Sequence, residues 1–179
     1  MYAQHDEWCI NPPQRHAVDI NQTTPAYLKG TASRANWNEM FVETMRGCPF
    51  SCRFCYYNKN CGSVRYLKRE TVLQLVQHAL DQQYREIFLL DPSCNIRPDF
   101  ELLLSEIAKI NSDQRIKMAT ELRADMIDEH LAHLLAEAGF YEVEVGLQSI
   151  HTDTLQQIWR VQHLERFLRG ARAMLTQGI

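Results

Sequence analysis

The apolar residues of the chain from residue 40 onward follow two alternating periods. In four segments they recur every third or fourth residue, which is typical of a helix with one buried face. These helical segments are 71–83, 100–107, 131–138 and 164–175. A short stretch rich in apolar and β-branched residues precedes each of them, as expected for a buried strand. These strand segments are 40–45, 86–91, 116–122 and 141–148. The pattern therefore predicts four successive strand–helix units.

Strict alternation of strands and helices predicts a parallel sheet, because each crossover helix returns the chain to the same edge. The last strand has an apolar face and a second face that carries Glu142, Glu144, Gly146 and Gln148. A face this polar suits the lumen of a barrel better than contact with a helix. A complete eight-stranded barrel usually needs ~250 residues. The chain has 179 residues, so we predict an α/β fold with a partial parallel (βα) barrel of about four units.

Residues 1–38 lack a sustained hydrophobic period and contain several prolines and asparagines, which indicates an extended lead-in. We therefore divide the chain into a linker, 1–38, and a partial core domain, 39–179. The N-terminus carries Asp6 and Glu7 and no apolar stretch, so no secretory signal is expected. No apolar run approaches the ~20 residues that span a bilayer. These features predict a cytoplasmic protein without a membrane partner.

Charge and cysteine content restrict the function further. Nineteen Lys and Arg residues against 22 Asp and Glu residues give a formal net charge of −3. This balance provides no positive field for a phosphate backbone, which disfavours nucleic acid as a partner. The chain has six cysteines, and in the cytosol these are expected to be reduced thiols rather than disulfides.

Three cysteines lie within eight residues in the loop after the first strand. Cys48, Cys52 and Cys55 form a CxxxCxxC pattern. Three thiolates on a short loop can hold three irons of a four-iron, four-sulfur cluster, because soft sulfur ligands suit iron. The fourth iron then keeps an open position for a cofactor or substrate, as catalytic zinc does. Phe54, next to the last cysteine, would help to exclude water from such a cluster.

Two other interpretations of the cysteines remain open. One is a zinc site made from the same three thiols and Cys61, and the other is a set of buried thiols without a metal. Zinc sites usually use CxxC pairs with a longer spacer, and the five residues between Cys55 and Cys61 provide no second pair. The pattern therefore favours the iron–sulfur cluster. Cys9 and Cys61 lack partner spacing, so no auxiliary cluster is expected, and Cys94 is expected to be a small buried thiol.

At these residues the chain resembles the radical S-adenosylmethionine (radical SAM) superfamily, whose signature is CxxxCxφC with an aromatic residue at φ. Further matches lie at the ends of the second, third and fourth predicted strands. The resemblance implies that six residues contact the cofactor, namely Phe54, Asp91, Glu121, Gln148, Ser149 and Arg160. Without the cysteines, Glu121 would be better explained as an exposed strand-end carboxylate, and Arg160 is as well explained by a solvated arginine as by a carboxylate clamp.

The resemblance implies an enzyme that uses a 4Fe-4S cluster and S-adenosylmethionine (SAM). A reduced cluster would cleave SAM to methionine and a 5′-deoxyadenosyl radical, with electrons from a reductant such as a flavodoxin or ferredoxin. The substrate is unknown. The alternative is a non-catalytic, truncated iron–sulfur or zinc-binding module.

The resemblance covers residues 40–178, or four of the six strand–helix units usual in this family. It therefore implies a fragment truncated at both ends. Residues 19–30 look like the connector that follows a cobalamin-binding domain in one branch of the family. The parent enzyme is thus expected to be a cobalamin-dependent methylase, with cobalamin held by a missing upstream domain.

Overall fold

The computed structural model describes residues 2–4, 7–9, 19–33, 38–60 and 63–179. Its strands are β1 (Tyr2–Gln4), β2 (Glu7–Cys9), β3 (Glu39–Val42), β4 (Met45–Arg46), β5 (Arg65–Tyr66), β6 (Glu86–Leu89), β7 (Lys117–Leu122) and β8 (Phe140–Val145). Its α-helices are α1 (Tyr57–Asn60), α2 (Arg69–Asp81), α3 (Phe100–Ile110), α4 (Glu129–Ala138), α5 (Thr152–Gln157) and α6 (Leu164–Thr176). Short 3-10 turns span Ile20–Gln22, Cys94–Ile96 and Ala124–Met126.

Four strands form the central sheet in the order β3-β6-β7-β8, and every neighbouring pair is parallel. Consecutive strands of this sheet are joined through α2, α3 and α4. The prediction of an α/β fold with a partial parallel barrel is confirmed. Because all four strands run the same way, their carboxyl ends meet at one edge of the sheet, where barrel active sites are built.

The helices form where the period predicts them because each buries one apolar face in the common hydrophobic core. In α2 the buried residues are Val72, Leu75, Val76, Ala79 and Leu80. Helix α4 begins after Asp128, whose Oδ1 accepts a hydrogen bond from the Leu131 N–H at 2.8 Å, a standard N-cap. It ends at Gly139, which has a left-handed φ of 100°.

The first and last sheet strands are shorter than their hydrophobic pattern predicts. Strand β3 stops at Val42, because the backbone N–H groups of Thr44 and Met45, two and three residues later, donate to the Asp91 side chain instead of continuing the ladder. Strand β8 stops at Val145, and Gln148 beyond it has a φ of 63°, which is incompatible with extended backbone. Helix α5 was not predicted, since Leu155 is its single buried residue and leaves no period to detect.

The described part of the lead-in is in contact with the core. Ile20, Tyr27 and Leu28 are partly buried against it, and the ring of Tyr27 meets that of Tyr84 edge to face at 6.1 Å. The Asn21 side chain also accepts a hydrogen bond from the Lys68 N–H at 2.7 Å. Residues 19–33 are therefore packed rather than extended, while the domain division at residue 39 stays a prediction.

Helix α6 lies unusually close to the turn that follows β7. A Cβ atom at Gly170 would come within 2.8 Å of the Ile127 carbonyl oxygen, so only glycine fits this contact without movement. The close approach fixes α6 beneath the carboxyl end of β7. Across residues 19–33, 38–60 and 63–179, every helix is too short or too polar to span a lipid bilayer.

Candidate functional site

A cavity of about 230 Å³ opens at the carboxyl ends of the sheet strands. It is lined by seven of the nine residues predicted to bind a metal or cofactor: Cys48, Cys52, Phe54, Cys55, Glu121, Gln148 and Arg160. Further lining residues that the sequence did not single out include Phe50, Tyr57, Arg123 and Glu144. The loop cysteines and the strand-end polar residues are thus brought to one place.

The cysteine loop connects β4 to α1 and begins with a strained turn. Gly47 has a φ of 98°, and a Cβ atom there would lie 2.5 Å from the Ser63 carbonyl oxygen, so the position requires glycine. Within the loop, the Cys55 N–H donates to the Cys52 carbonyl at 3.1 Å. This turn brings the last two cysteines to the same side of the loop.

The far side of the cysteine loop is attached to the end of α5. The Arg53 N–H donates to the Ile158 carbonyl at 2.9 Å, and the Arg53 guanidinium donates to the Gln157 carbonyl at 3.2 Å. The same guanidinium stacks 4.2 Å from the centre of the Trp159 ring. These contacts hold the loop over the strand ends.

The donor set of the loop suits an iron–sulfur cluster. Cys52 is buried, Cys48 and Cys55 are partly buried, and all three are free thiols facing one cavity. Burial raises the pKa of the Cys48 thiol, although the Phe50 backbone N–H lowers it in part. Among the described residues, no three His, Cys, Asp or Glu side chains are arranged around a single metal ion. Cys61, the fourth ligand of the zinc alternative, lies outside the described residues.

Two carboxylates stand side by side on the sheet part of the cavity. Glu121 on β7 is in register with Glu144 on β8, and both line the cavity. Burial raises the pKa of Glu121, and the neighbouring Glu144 raises it further. In the sequence, the one signal for the place of Glu144 in the cavity is its position on the polar face of the last strand.

Arg160 is a fixed part of the cavity rather than a free surface arginine. Its Nη2 donates to the Gly146 carbonyl at 3.1 Å, and its Nε donates to Gln162 Oε1 at 3.2 Å. Gln162 in turn donates to the Leu147 carbonyl at 2.6 Å. This chain of hydrogen bonds ties Arg160 to the end of β8, beside Gln148.

Asp91 and Ser149 do not line the cavity, in contrast to what the resemblance implied. Asp91 is fully buried, and its Oδ1 accepts hydrogen bonds from the N–H groups of Thr44 at 2.7 Å and Met45 at 2.9 Å. It therefore supports the segment that leads into the cysteine loop. Ser149 Oγ accepts a hydrogen bond from the His151 N–H at 3.0 Å, at the start of α5.

Arg123 is a lining residue to which the sequence assigned no role. Its side chain is 5% exposed and donates to Asp125 through Nε at 2.9 Å and Nη2 at 2.6 Å. Nη2 also donates to the Val161 carbonyl, and the guanidinium stacks 4.3 Å from the centre of the Phe50 ring. The sequence feature that points to this pair is an arginine and an aspartate two positions apart, directly after a predicted strand.

Comparison with curated proteins finds relatives that share part of their length with this chain. The tRNA-2-methylthio-N(6)-dimethylallyladenosine synthase of Bacillus cereus is 29% identical over 164 residues, which is 86% of this chain and 31% of that protein. The enzyme of the same name from Prosthecochloris aestuarii is 33% identical over 103 residues, or 54% of this chain and 23% of that protein. The chain thus spans about a third or less of these relatives.

Comparison with solved structures finds the same fold in larger proteins. The radical SAM methyltransferase TsrM from Kitasatospora setae aligns with a TM-score of 0.71 at 21% identity, covering 79% of this chain and 29% of that chain. The cobalamin-dependent SAM radical enzyme OxsB aligns with a TM-score of 0.66 at 22% identity, covering 78% of this chain and 22% of that chain.

The family model of the radical SAM superfamily matches residues 42–179, which is most of the chain. The match begins at the last residue of β3 and includes the cysteine loop, the other three strands of the parallel sheet and every strand-end residue that lines the cavity. The chain therefore belongs to the radical SAM superfamily, whose enzymes use a 4Fe-4S cluster and SAM.

Proposed function

We propose that this chain is the cluster- and SAM-binding part of a radical SAM enzyme. One observation carries the proposal: three cysteines of one loop and polar residues from the ends of two strands line a single cavity at the carboxyl edge of a parallel sheet. Barrel enzymes build their catalytic sites at this edge. The residues of the chain therefore supply both a cluster-binding loop and a wall for the cofactor.

Each group in the cavity has a role that follows from its chemistry. When bound, a reduced cluster supplies the electron that cleaves SAM to methionine and a 5′-deoxyadenosyl radical. Cys48, Cys52 and Cys55 would hold three of its irons. Glu121 and Gln148 provide hydrogen-bond acceptors and donors for the polar parts of SAM, and Arg160 provides a positive charge for its carboxylate.

The decisive experiment is reductive cleavage of SAM. The protein is reconstituted anaerobically with iron and sulfide, supplied with SAM and a chemical reductant, and assayed for 5′-deoxyadenosine and methionine by mass spectrometry. We expect both products from the wild type and neither from Cys48→Ala. A wild-type protein that binds iron but releases no 5′-deoxyadenosine would instead support the non-catalytic module.

The parent reaction is a separate part of the proposal. A cobalamin-dependent methylase, expected from residues 19–30, stays a prediction, because structures about 21% identical support the fold alone. The curated relatives favour a second candidate, a tRNA-modifying enzyme, through their 29–33% identity. Transfer of the labelled SAM methyl group into added tRNA would support this candidate, and tRNA that stays unlabelled would exclude it for this chain.

Loss of either polar strand-end side chain should weaken SAM binding. We expect Glu121→Ala and Gln148→Ala each to cost about 1 to 3 kcal/mol, the range for a lost neutral or charged hydrogen bond. This corresponds to a Kd about 5- to 150-fold higher, measured by calorimetry on cluster-loaded protein. Glu142→Ala removes a carboxylate of the neighbouring strand β8 that does not line the cavity and should leave the Kd unchanged. Wild-type affinity in both cavity variants would contradict the assignment.

A further inference from the structure

Arg123 is held beside the cysteine loop by contacts on three sides. Asp125 pairs with its Nε and Nη2, and the Val161 carbonyl accepts from Nη2. The ring of Phe50, which lies between the first two cysteines of the motif, packs on the guanidinium at 4.3 Å. A planar guanidinium that forms a bidentate ion pair with a carboxylate has one defined orientation. The structure therefore fixes where its remaining nitrogen is.

That remaining nitrogen, Nη1, is buried and has no hydrogen-bond partner among the described residues. Leaving a buried charged donor without a partner is costly, and native proteins keep few such groups without a functional reason. Arg123 also lines the cavity, together with Cys48 and Phe50. Because Nη1 is not exposed to the cavity, the missing acceptor is to be sought where the cysteine loop meets Arg123, in a sulfur that this loop would bring against Nη1 when it holds a cluster.

Arg97 provides an internal comparison, because it is another buried arginine near the strand ends. Its Nε and Nη2 donate to Asp99, its Nη1 donates to the Thr44 carbonyl at 3.0 Å, and its Nη2 also reaches the Leu67 carbonyl at 3.1 Å. All three nitrogens therefore have protein acceptors, and Arg97 does not line the cavity. Arg97, which lies outside the cavity, thus has an acceptor for every guanidinium nitrogen, whereas Arg123 does not.

We propose that Arg123 is a positioning residue for the iron–sulfur cluster, holding Phe50 and the cysteine loop in place while its Nη1–H donates a hydrogen bond to a thiolate or sulfide sulfur. This inference rests on the proposed function. Thiolates and sulfides are the anionic acceptors that a cluster brings into the cavity, and hydrogen bonds to them, like nearby positive charge, favour the reduced cluster. Arg123 thus makes the cluster easier to reduce.

The test is the reduction midpoint of the reconstituted cluster, measured by redox titration with electron paramagnetic resonance detection. Arg123→Gln removes the charge and the donor at Nη1. We expect its midpoint to fall by about 59 mV, a tenfold change in the one-electron reduction equilibrium. Arg123→Lys keeps the positive charge but loses the bidentate ion pair with Asp125. It should lower the midpoint by less than Arg123→Gln does. Arg97→Lys is the matched control, expected to keep the wild-type midpoint.

Each outcome separates this inference from the proposed function. If Arg123→Gln binds the cluster and has the wild-type midpoint, the role of Arg123 is overturned and the proposed function is intact. A shift of the same size in Arg97→Lys also overturns it, because general loosening would then explain the effect. If Arg123→Gln takes up no iron, the midpoint of Arg123→Lys is the test. A wild-type midpoint in that variant overturns the role of Arg123. A wild-type protein without iron overturns both proposals.

Discussion

Replacing any one of Cys48, Cys52 or Cys55 by alanine is expected to abolish the iron–sulfur cluster. The wild type should take up about four irons per chain on anaerobic reconstitution, as one 4Fe-4S cluster requires. Because all three thiols belong to one loop that lines the cavity, the removal of one leaves two ligands for the cluster. Iron analysis and the visible absorption of the cluster measure the loss.

Cys94→Ala is the matched control for these variants. Cys94 is a free cysteine that is 1% exposed in the turn after β6, and it does not line the cavity. We expect this variant to lose a little stability through the small void and to keep its iron. Stoichiometric zinc without an iron chromophore in anaerobically purified wild type would contradict the cluster assignment.

Asp91→Ala is expected to be the most destabilising exchange near the site. It would leave the buried N–H groups of Thr44 and Met45 without their acceptor, at about 1 to 3 kcal/mol for each group. The expected loss in the free energy of unfolding is therefore about 2 to 6 kcal/mol, a large share of the stability of a typical domain. Denaturant unfolding measures it. Asp113→Ala, at an exposed aspartate, should change stability by no more than about 0.5 kcal/mol.

Asp91→Asn is expected to change how stability depends on pH. Burial raises the pKa of Asp91 from 3.8 to about 6, although its hydrogen bonds from Thr44 and Met45 oppose the shift. The folded state therefore binds the Asp91 proton more tightly than the unfolded state does. The contribution of this proton to the free energy of unfolding is complete below pH 3.8 and is lost as pH rises through about 6.

Asparagine keeps an oxygen acceptor for the two N–H groups and does not ionise. Relative to the wild type, Asp91→Asn should therefore gain stability between pH 4 and pH 7, by up to about 3 kcal/mol for a shift of about two pKa units. Denaturant unfolding at both pH values measures the gain. Parallel pH profiles of the two proteins would contradict the raised pKa.

The elements that the sequence predicts correctly are those with a local, repeated signal. Helices α2, α3, α4 and α6 each bury one face, so their apolar period is visible without knowledge of their neighbours. The cysteine loop is visible for the same reason, since its ligand spacing is contained in eight residues. Helix α5 buries one residue and is held by contacts to the cysteine loop about a hundred positions earlier, which no local pattern reveals.

The direction of individual side chains is what the sequence predicts least well. Asp91 and Glu121 both follow a strand of the parallel sheet, and the resemblance assigned both to the cofactor. In the structure, Leu90 and Pro92 line the cavity and Asp91 between them does not, because successive residues of extended backbone point to opposite sides. Arg123 was overlooked for a related reason: its role depends on Phe50, Asp125 and Val161, which only the folded chain brings together.

The attachment of the cysteine loop to the end of α5 has a consequence for biosynthesis. The hydrogen bond between the Arg53 guanidinium and the Gln157 carbonyl joins residues separated by 104 positions. At a translation rate of about 5 to 20 residues per second, the loop leaves the ribosome about 5 to 20 s before its anchor does. During that interval the three thiols are exposed on the nascent chain, without the contacts that later hold them over the sheet. Oxygen and competing metal ions therefore meet these cysteines most easily during translation rather than in the finished protein.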